Sequence, residues 1–477
     1  MYHYLMHERW QWFFATPNMC AAFLTVCLGM LLTVLMTTKH NVLKNILLGI
    51  LLFGQILLSL TYSRSGFIAW SSCLLIVYRM SCRKITIILL AAFYIFILFM
   101  LPSGYLRVSS IINISDGSIL HRLWLWLGGV GTIAQFPLGC PYPIGKYYEL
   151  QYMPWFLNEN YRNFLSDTLT IGSKYGIIAL SGYWLISLIF INWLFSIWQK
   201  NKNVIASTLL GTLVSIIVNG LFSTFYFVKE ILLGYIILAL LIFFYIAKQI
   251  HLKKWNPDIK NYLIPLISVV IITAGIFFVG KLVNKRLLYR VILHKDEYQC
   301  KFISKQPKEK VLYFFSDNHV LGTSDFFPDV RKWAIKGIDT YLFKIDDGVD
   351  GLNKIKFELA NHSKNSDKKL VIVGTGIASS NVLIAAIQSH VQGSISKILL
   401  YNCSAQSPLK NLSAINFINN LETPLIFLYD NEARQYDSQL LINAVKNKNR
   451  KYCRFYYLKY ENQITDIIFN LINRGND

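Results

Sequence analysis

The run Tyr175-Gly-Ile-Ile-Ala-Leu-Ser-Gly-Tyr-Trp-Leu-Ile-Ser-Leu-Ile-Phe-Ile-Asn-Trp-Leu-Phe-Ser-Ile197 contains no Asp, Glu, Lys or Arg. A helix rises about 1.5 Å per residue, so a stretch of this length crosses the ~30 Å hydrocarbon core of a bilayer. Comparable stretches lie at 203–223, 228–247 and 261–283 downstream, and at 19–37, 43–62, 66–80 and 85–102 upstream. The reading is about eight spans, of which 66–80 is the shortest and most polar. Residues 1–18 carry Glu8, Arg9 and several aromatics, the composition of an interfacial segment and not of a signal peptide.

The whole chain has 477 residues, 54% of them hydrophobic and only 15% charged. So little charge with so many apolar residues excludes a disordered chain and an ordinary soluble globule. The net charge of +21 alone would admit a nucleic-acid partner, but its distribution argues otherwise. Residues 1–285 hold 21 basic and 7 acidic residues, whereas 286–477 hold 26 and 19. The expected fold is therefore an α-helical polytopic membrane protein followed by a C-terminal α/β domain. Its segments are an interfacial 1–18, spans in 19–102, a large outer loop 103–174, spans in 175–285, and the domain 286–477.

Short basic loops mark the cytoplasmic side. Lys39 and Lys44, then Arg79, Arg83 and Lys84, then Lys200 and Lys202, then Lys248, Lys253, Lys254 and Lys260 all fall on one side under this topology. The 103–174 segment, the Arg64 turn and the C-terminal domain then lie on the other. Lys281, Lys285, Arg286 and Arg290 run against the rule, which long domains obey poorly. Cys20, Cys27, Cys73 and Cys82 lie in or beside spans, where cysteine acts as a small apolar residue. The eight cysteines match no zinc pattern, and no metal is expected.

The outer side gathers arginines. Arg64 sits in Thr61-Tyr-Ser-Arg-Ser-Gly66 between two spans. It reads either as an interface arginine reaching for headgroups or as a clamp for phosphate, to which guanidinium offers a planar fork of donors. The outer loop adds Arg107, His121, Arg122 and Arg162, with Trp126, Trp155, Tyr161 and Phe164 among them. Segment 119–136 suits a helix on the membrane surface or dipping into the fold, and Pro137-Leu-Gly-Cys-Pro-Tyr-Pro143 ends it in a rigid turn.

These residues carry a resemblance to the O-antigen ligase and polymerase family of bacterial surface-polysaccharide glycosyltransferases. It rests on three stretches within roughly residues 20–250. They are Ser63-Arg64-Ser65-Gly66; Arg122, Trp126 and Pro137-Leu138-Gly139; and Asn163-Phe-Leu-Ser-Asp167 followed by Gly172 and Tyr175-Gly-Ile177. The resemblance implies a donor glycan on undecaprenyl diphosphate. It implies an acceptor hydroxyl on lipid A-core or on another lipid-linked glycan, with inversion at the periplasmic face of the inner membrane and no cofactor. Arg64 and Arg122 would contact the diphosphate, with Arg162 and Arg107 as further candidates, and Trp126 and Asn163 would line the substrate. The family's histidine before the asparagine is absent, since this chain reads Glu159-Asn-Tyr-Arg-Asn163. Glu159, Asp167 and His121 are the remaining candidate bases, each with a structural reading beside it. The spans are also fewer than is usual for the family, which a truncated N-terminus would explain.

In the C-terminal domain, β-rich runs at 311–315, 340–344, 370–373, 398–401, 424–429 and 455–458 alternate with helical stretches. Continuous apolar runs of this kind form a mainly parallel sheet buried on both faces. The layout resembles an α/β-hydrolase. Leu370-Val-Ile-Val-Gly-Thr-Gly-Ile-Ala378 stands where the nucleophile elbow would be, but Gly376 occupies the nucleophile position. Ser379 and Ser380 come too late, and Lys459-Tyr-Glu-Asn-Gln463 supplies no histidine; only Tyr429-Asp-Asn-Glu432 resembles an acid-bearing loop. The domain reads as hydrolase-like without catalysis, with a binding role towards glycan or a partner protein. Two other readings remain: a membrane-anchored acyl-ester hydrolase or acyltransferase, and a non-enzymatic transport or assembly protein.

Overall fold

The computed structural model describes residues 14, 16–81, 83–101, 117–153, 163–225, 228–252, 255, 257–293, 299–305, 310–316, 333–345, 349–366, 368–375, 377–388, 394–401, 423–429 and 453–457. The chain divides into two compact units, one of residues 1–148 and 161–285, the other of residues 149–160 and 286–477.

The first unit is helical. Its elements are α1 (Pro17–Thr37), α2 (Asn41–Leu60), α3 (Arg64–Met80), α4 (Lys84–Met100), α5 (Gly117–Gln135), α6 (Ile144–Gln151, whose last residues belong to the second unit), α7 (Asp167–Asn201), α8 (Val204–Phe222), α9 (Lys229–His251) and α10 (Lys260–Arg286). Among the described residues six helices are long and apolar enough to cross a membrane: α1, α2, α7, α8, α9 and α10. The expected eight spans are not confirmed, since α3 and α4 are helices of only 17 residues each. The starts are specified locally. Thr16 caps α1 with Pro17 in its first turn, Ser63 caps α3 and Asn203 caps α8, each side chain accepting a backbone amide of the first turn.

Lipid gives apolar helices no hydrophobic reason to associate, so close packing of small residues must do it. A Cβ at Gly66 would stand 2.8 Å from Ala21, and one at Gly211 2.9 Å from Val77. These contacts draw α1, α3 and α8 together into a core that buries Leu28, Trp70, Cys73 and Val77. The outer-loop stretch 119–136 forms most of α5 and dips into the fold: Leu125, Thr132, Ile133 and Ala134 are buried. Asn284 Nδ2 of α10 donates to Gly131 O at 2.9 Å, which ties the last span to it.

The second unit is an eight-stranded sheet, β1 (Tyr289–Leu293), β2 (Gln299–Ser304), β3 (Lys310–Ser316), β4 (Asp339–Lys344), β5 (Lys369–Thr375), β6 (Ile395–Tyr401), β7 (Leu425–Tyr429) and β8 (Cys453–Tyr457), ordered 1-2-4-3-5-6-7-8. Strands β3 to β8 run parallel, while β2 is antiparallel to both β1 and β4. Helices α11 (Val349–Asn365) and α12 (Ile377–Gln388) are described beside it. All six anticipated strands are present, and β1 and β2 are additions. Gln151 of α6 fastens β1, donating to Tyr289 O at 3.1 Å and accepting from Val291 N at 2.6 Å.

Asp339, the first residue of β4, ties the end of β2 and the start of β5 to this strand. Its Oδ1 accepts from Ser304 N at 2.8 Å and its Oδ2 pairs with Lys368 Nζ at 2.7 Å. Asp339→Ala therefore strands a buried amide and is expected to cost about 1–3 kcal/mol, whereas Lys368→Met, at a part-exposed partner, costs about 0–1 kcal/mol. Thermal denaturation of the full chain in detergent, followed by the loss of sheet signal in circular dichroism, checks this order; equal losses would contradict it.

Candidate functional site at one end of the helical unit

Helix α7 is broken at Gly176, whose φ of 86° and ψ of 179° lie in a region essentially reserved for glycine. A break near membrane depth frees backbone groups that lipid cannot satisfy. Here the Pro137–Cys140 turn fills it: Cys140 N donates to Ser173 O at 2.7 Å, and Ile177 N donates to Pro137 O at 2.8 Å. The approach is so close that a Cβ at Gly176 would lie 2.6 Å from the Leu138 carbonyl carbon. Gly139, with φ of 108°, faces Lys174 O in the same way at 2.8 Å. The two sequence stretches that resemble the family's runs thus meet as one clasp. Cys140 is a half-buried free thiol, and burial pushes it up to about 11, so it is protonated at neutral pH.

The clasp positions α5 against the first half of α7. Ser173 Oγ donates to Gly129 O at 3.3 Å, and a Cβ at Gly172 would meet Ile133 at 2.8 Å. Both helices then grip the backbone that leaves α8. Arg122 Nη1 of α5 donates to Phe222 O at 3.0 Å, and the Trp126 ring lies 5.8 Å from that of Phe222. Asp167, 2% exposed, accepts from Phe225 N at 2.8 Å through Oδ1, while Thr170 and Thr224 share a hydrogen bond of 3.2 Å. A Cβ at Gly220 would come within 2.7 Å of Asp167 Oδ2.

Arg64 belongs to the same end. The Trp198 indole near the end of α7 donates to Met80 O at 2.7 Å, so the last turn of α3 lies beside the start of α8. Since α3 packs along α8 through Gly211, the two run antiparallel, which brings Arg64 to the end that carries Phe222. Ser63 Oγ donates to Asn18 Oδ1 at 2.9 Å and adds the start of α1 to this end. The loops with Lys39, Arg79, Lys84, Lys200, Lys202 and Lys248 gather at the opposite end.

Of the anticipated site residues, Arg64, Arg122, His121, Trp126, Asp167 and Asn163 therefore sit at one end of the bundle. His121 is half-buried beside Arg122, and Asn163 Oδ1 accepts from Leu165 N at 3.0 Å in a turn where Leu165 takes φ of 48°. Arg107, Glu159 and Arg162 lie outside the described residues. The backbone turn at 222–225, which both charged groups hold, was not anticipated. Its signal was the row of polar residues Asn219, Ser223 and Thr224 closing an apolar span.

In the second unit, Ser379 and Ser380 are in α12 and fully buried. A Cβ at Gly374 would lie 2.8 Å from Ser379 Cα, so this glycine lets α12 cross β5. Gly376, Asp430 and 459–463 lie outside the described residues. Among the described residues no cluster of ligand side chains could hold a metal.

No family model and no curated protein matches the chain. Solved structures similar to it are α/β-hydrolase proteins. They include Est1E from Butyrivibrio proteoclasticus (11% identity, 39% of this chain, 97% of that chain, TM-score 0.30), the esterase domain of a Rhodothermus marinus protein (9%, 39%, 95%, 0.31) and the thioesterase domain from the curacin biosynthetic pathway (9%, 39%, 99%, 0.30). The six apolar helices mark a membrane protein, and the comparisons lend no support to a glycosyltransferase.

The clasp predicts that Gly176→Ala and Gly139→Ala each destabilise the protein by about 1–3 kcal/mol, through strain and overlap. Gly182→Ala, with open space around it, is expected to be silent. The midpoint of heat-induced aggregation in detergent, read by size-exclusion chromatography, orders the three.

Proposed function

We propose that the helical unit is a glycosyltransferase of the ligase/polymerase type. It moves a glycan from undecaprenyl diphosphate to a hydroxyl of lipid A-core or of another lipid-linked glycan, at the periplasmic face of a bacterial inner membrane. The observation that carries this reading is Arg64 on the first residue of α3. This sets a guanidinium beside a helix N-terminus, where backbone amides and the helix dipole also favour an anion. Arg122, at the same end, adds a second guanidinium of which Nη1 is engaged by Phe222 O.

When the sugar departs, negative charge grows on the diphosphate. Preorganised guanidinium groups in a site poor in water stabilise that charge more than they stabilise the bound donor. Asp167 is better suited to holding the 222–225 turn than to abstracting a proton, since one carboxylate oxygen already accepts the Phe225 amide. His121 and Glu159 stay as candidate bases, and Arg107 and Arg162 as further diphosphate contacts. Under this reading the hydrolase-like unit binds glycan or a partner.

A second reading, a membrane-anchored acyl-ester hydrolase, is favoured by the sheet of the second unit, whose β5 leads into α12 as an elbow strand leads into its helix. The buried positions of Ser379 and Ser380 count against it.

The test is transfer from a lipid-diphosphate-linked glycan by the full chain in proteoliposomes. Arg64→Ala and Arg122→Ala are each expected to lower turnover about 10²–10³-fold with the protein still inserted. Ser379→Ala and Ser380→Ala are expected to leave it unchanged. The opposite pattern, with ester cleavage lost on serine replacement, would install the second reading.

A further inference from the structure

The main chain that leaves α8 is held by two charged side chains from different helices. Arg122 Nη1 of α5 donates to Phe222 O at 3.0 Å, and Asp167 Oδ1 of α7 accepts from Phe225 N at 2.8 Å. The last carbonyls of a helix have no partner within it, and hydrocarbon supplies none. The stretch between the two bonds is buried at Ser223, Thr224 and Phe225. Its backbone is extended at Ser223, with φ of −156° and ψ of 159°. The Thr170 and Thr224 hydroxyls, 3.2 Å apart, and Phe225 O, which accepts from Val228 N at 2.9 Å, fix it further.

Asp167 is itself fixed. It is the first residue of α7, directly after the cap position Ser166, and it is buried. A Cβ at Gly220 would stand 2.7 Å from Oδ2, so the carboxylate lies against the last turn of α8. A general base has to reach the hydroxyl that it deprotonates. A buried carboxylate engaged by a main-chain amide is placed to hold the chain instead. Arg122 is half-buried, and a guanidinium that stabilises a departing diphosphate must stand in place before the charge develops. Its anchor is Phe222 O, and the position of that oxygen follows from the turn that Asp167 holds.

We propose that Asp167 is a positioning residue: through the Phe222–Phe225 turn it sets where the Arg122 guanidinium stands, and it takes no proton in the reaction. This rests on the transferase reading and deepens it. Asp167 leaves the candidate bases and becomes, with Gly220, the support of a diphosphate contact.

Asp167→Asn keeps an oxygen for the Phe225 amide and loses the charge, whereas Asp167→Ala loses both. The full chain is assayed in proteoliposomes with a lipid-diphosphate-linked glycan, turnover being taken per inserted, monodisperse molecule. Asp167→Ala is expected to lower kcat about 10²-fold, the effect of a misplacement of about 1 Å, with the donor KM within about threefold. Asp167→Asn is expected to lower kcat by less than about fivefold. Gly220→Ala, which displaces the carboxylate and removes no group, is expected to follow Asp167→Ala. On an Arg122→Ala background, Asp167→Ala is expected to cost less than about twofold more, because two residues acting through one contact are not additive. A base gives another pattern, with Asn as inactive as Ala and the acidic limb of the pH–rate profile gone, and that overturns the proposal. An Asp167→Ala loss of equal size with and without Arg122, as a merely structural role gives, overturns it too. Amide hydrogen exchange of the 222–225 turn in nanodiscs reads the support without any reaction: protection is expected to fall in Asp167→Ala and to persist in Asp167→Asn. Exchange that Asp167→Ala leaves unaltered overturns the positioning role. An unaltered chain that transfers nothing, with exchange as expected, overturns the transferase reading and leaves Asp167 as the holder of the turn.

Discussion

A helix interrupted at membrane depth has to find partners for the backbone groups it frees, because hydrocarbon offers none. The break at Gly176 meets that demand with the Pro137–Cys140 turn, two backbone hydrogen bonds closing the gap. The arrangement works only because neither Gly139 nor Gly176 carries a side chain and both take positive φ. The consequence reaches beyond the break. The turn is the end of α5, so docking it in α7 fixes how α5 lies along the first half of α7, and thereby the separation of Arg122 and Asp167. Those two side chains then hold the same stretch of main chain, one through the carbonyl of Phe222 and the other through the amide of Phe225.

Charge is arranged along the helical unit with a clear polarity. The many cations of the short loops stand at one end on exposed positions, where solvent and headgroups satisfy them. At the other end Lys281, Lys285 and Arg286 of α10 are exposed, whereas Arg64 and Arg122 are half-buried, and Arg122 is held by the Phe222 carbonyl. A fixed, partly desolvated guanidinium interacts more strongly with an anion than a mobile exposed one, because less reorganisation accompanies binding.

Much of this was legible in the sequence. The long helices follow from uninterrupted apolar runs, and β3 to β8 from short continuous ones. The motif stretches were legible as stretches, but their mutual contact was not. Pro137–Gly139 and Gly172–Gly176 are separated by a segment whose path no local rule gives, and the clasp depends on both glycines at once. Strands β1 and β2 escaped for another reason. They are half-buried, with Tyr289 and Val291 inward and Arg290 exposed between them, so they read as alternating and charged next to the apolar strands.

In the second unit β5 is followed by α12, which carries Ser379 and Ser380. An elbow needs a strained turn that lifts a serine clear of the sheet. Gly374 admits Ser379 Cα close to β5, and Ser379 and Ser380 are fully buried. A buried hydroxyl on a helix lacks the exposure that nucleophilic catalysis requires. The ion pair of Asp339 with Lys368, the Asp339 bond to Ser304 and the Gln151 bonds to β1 all secure its sheet.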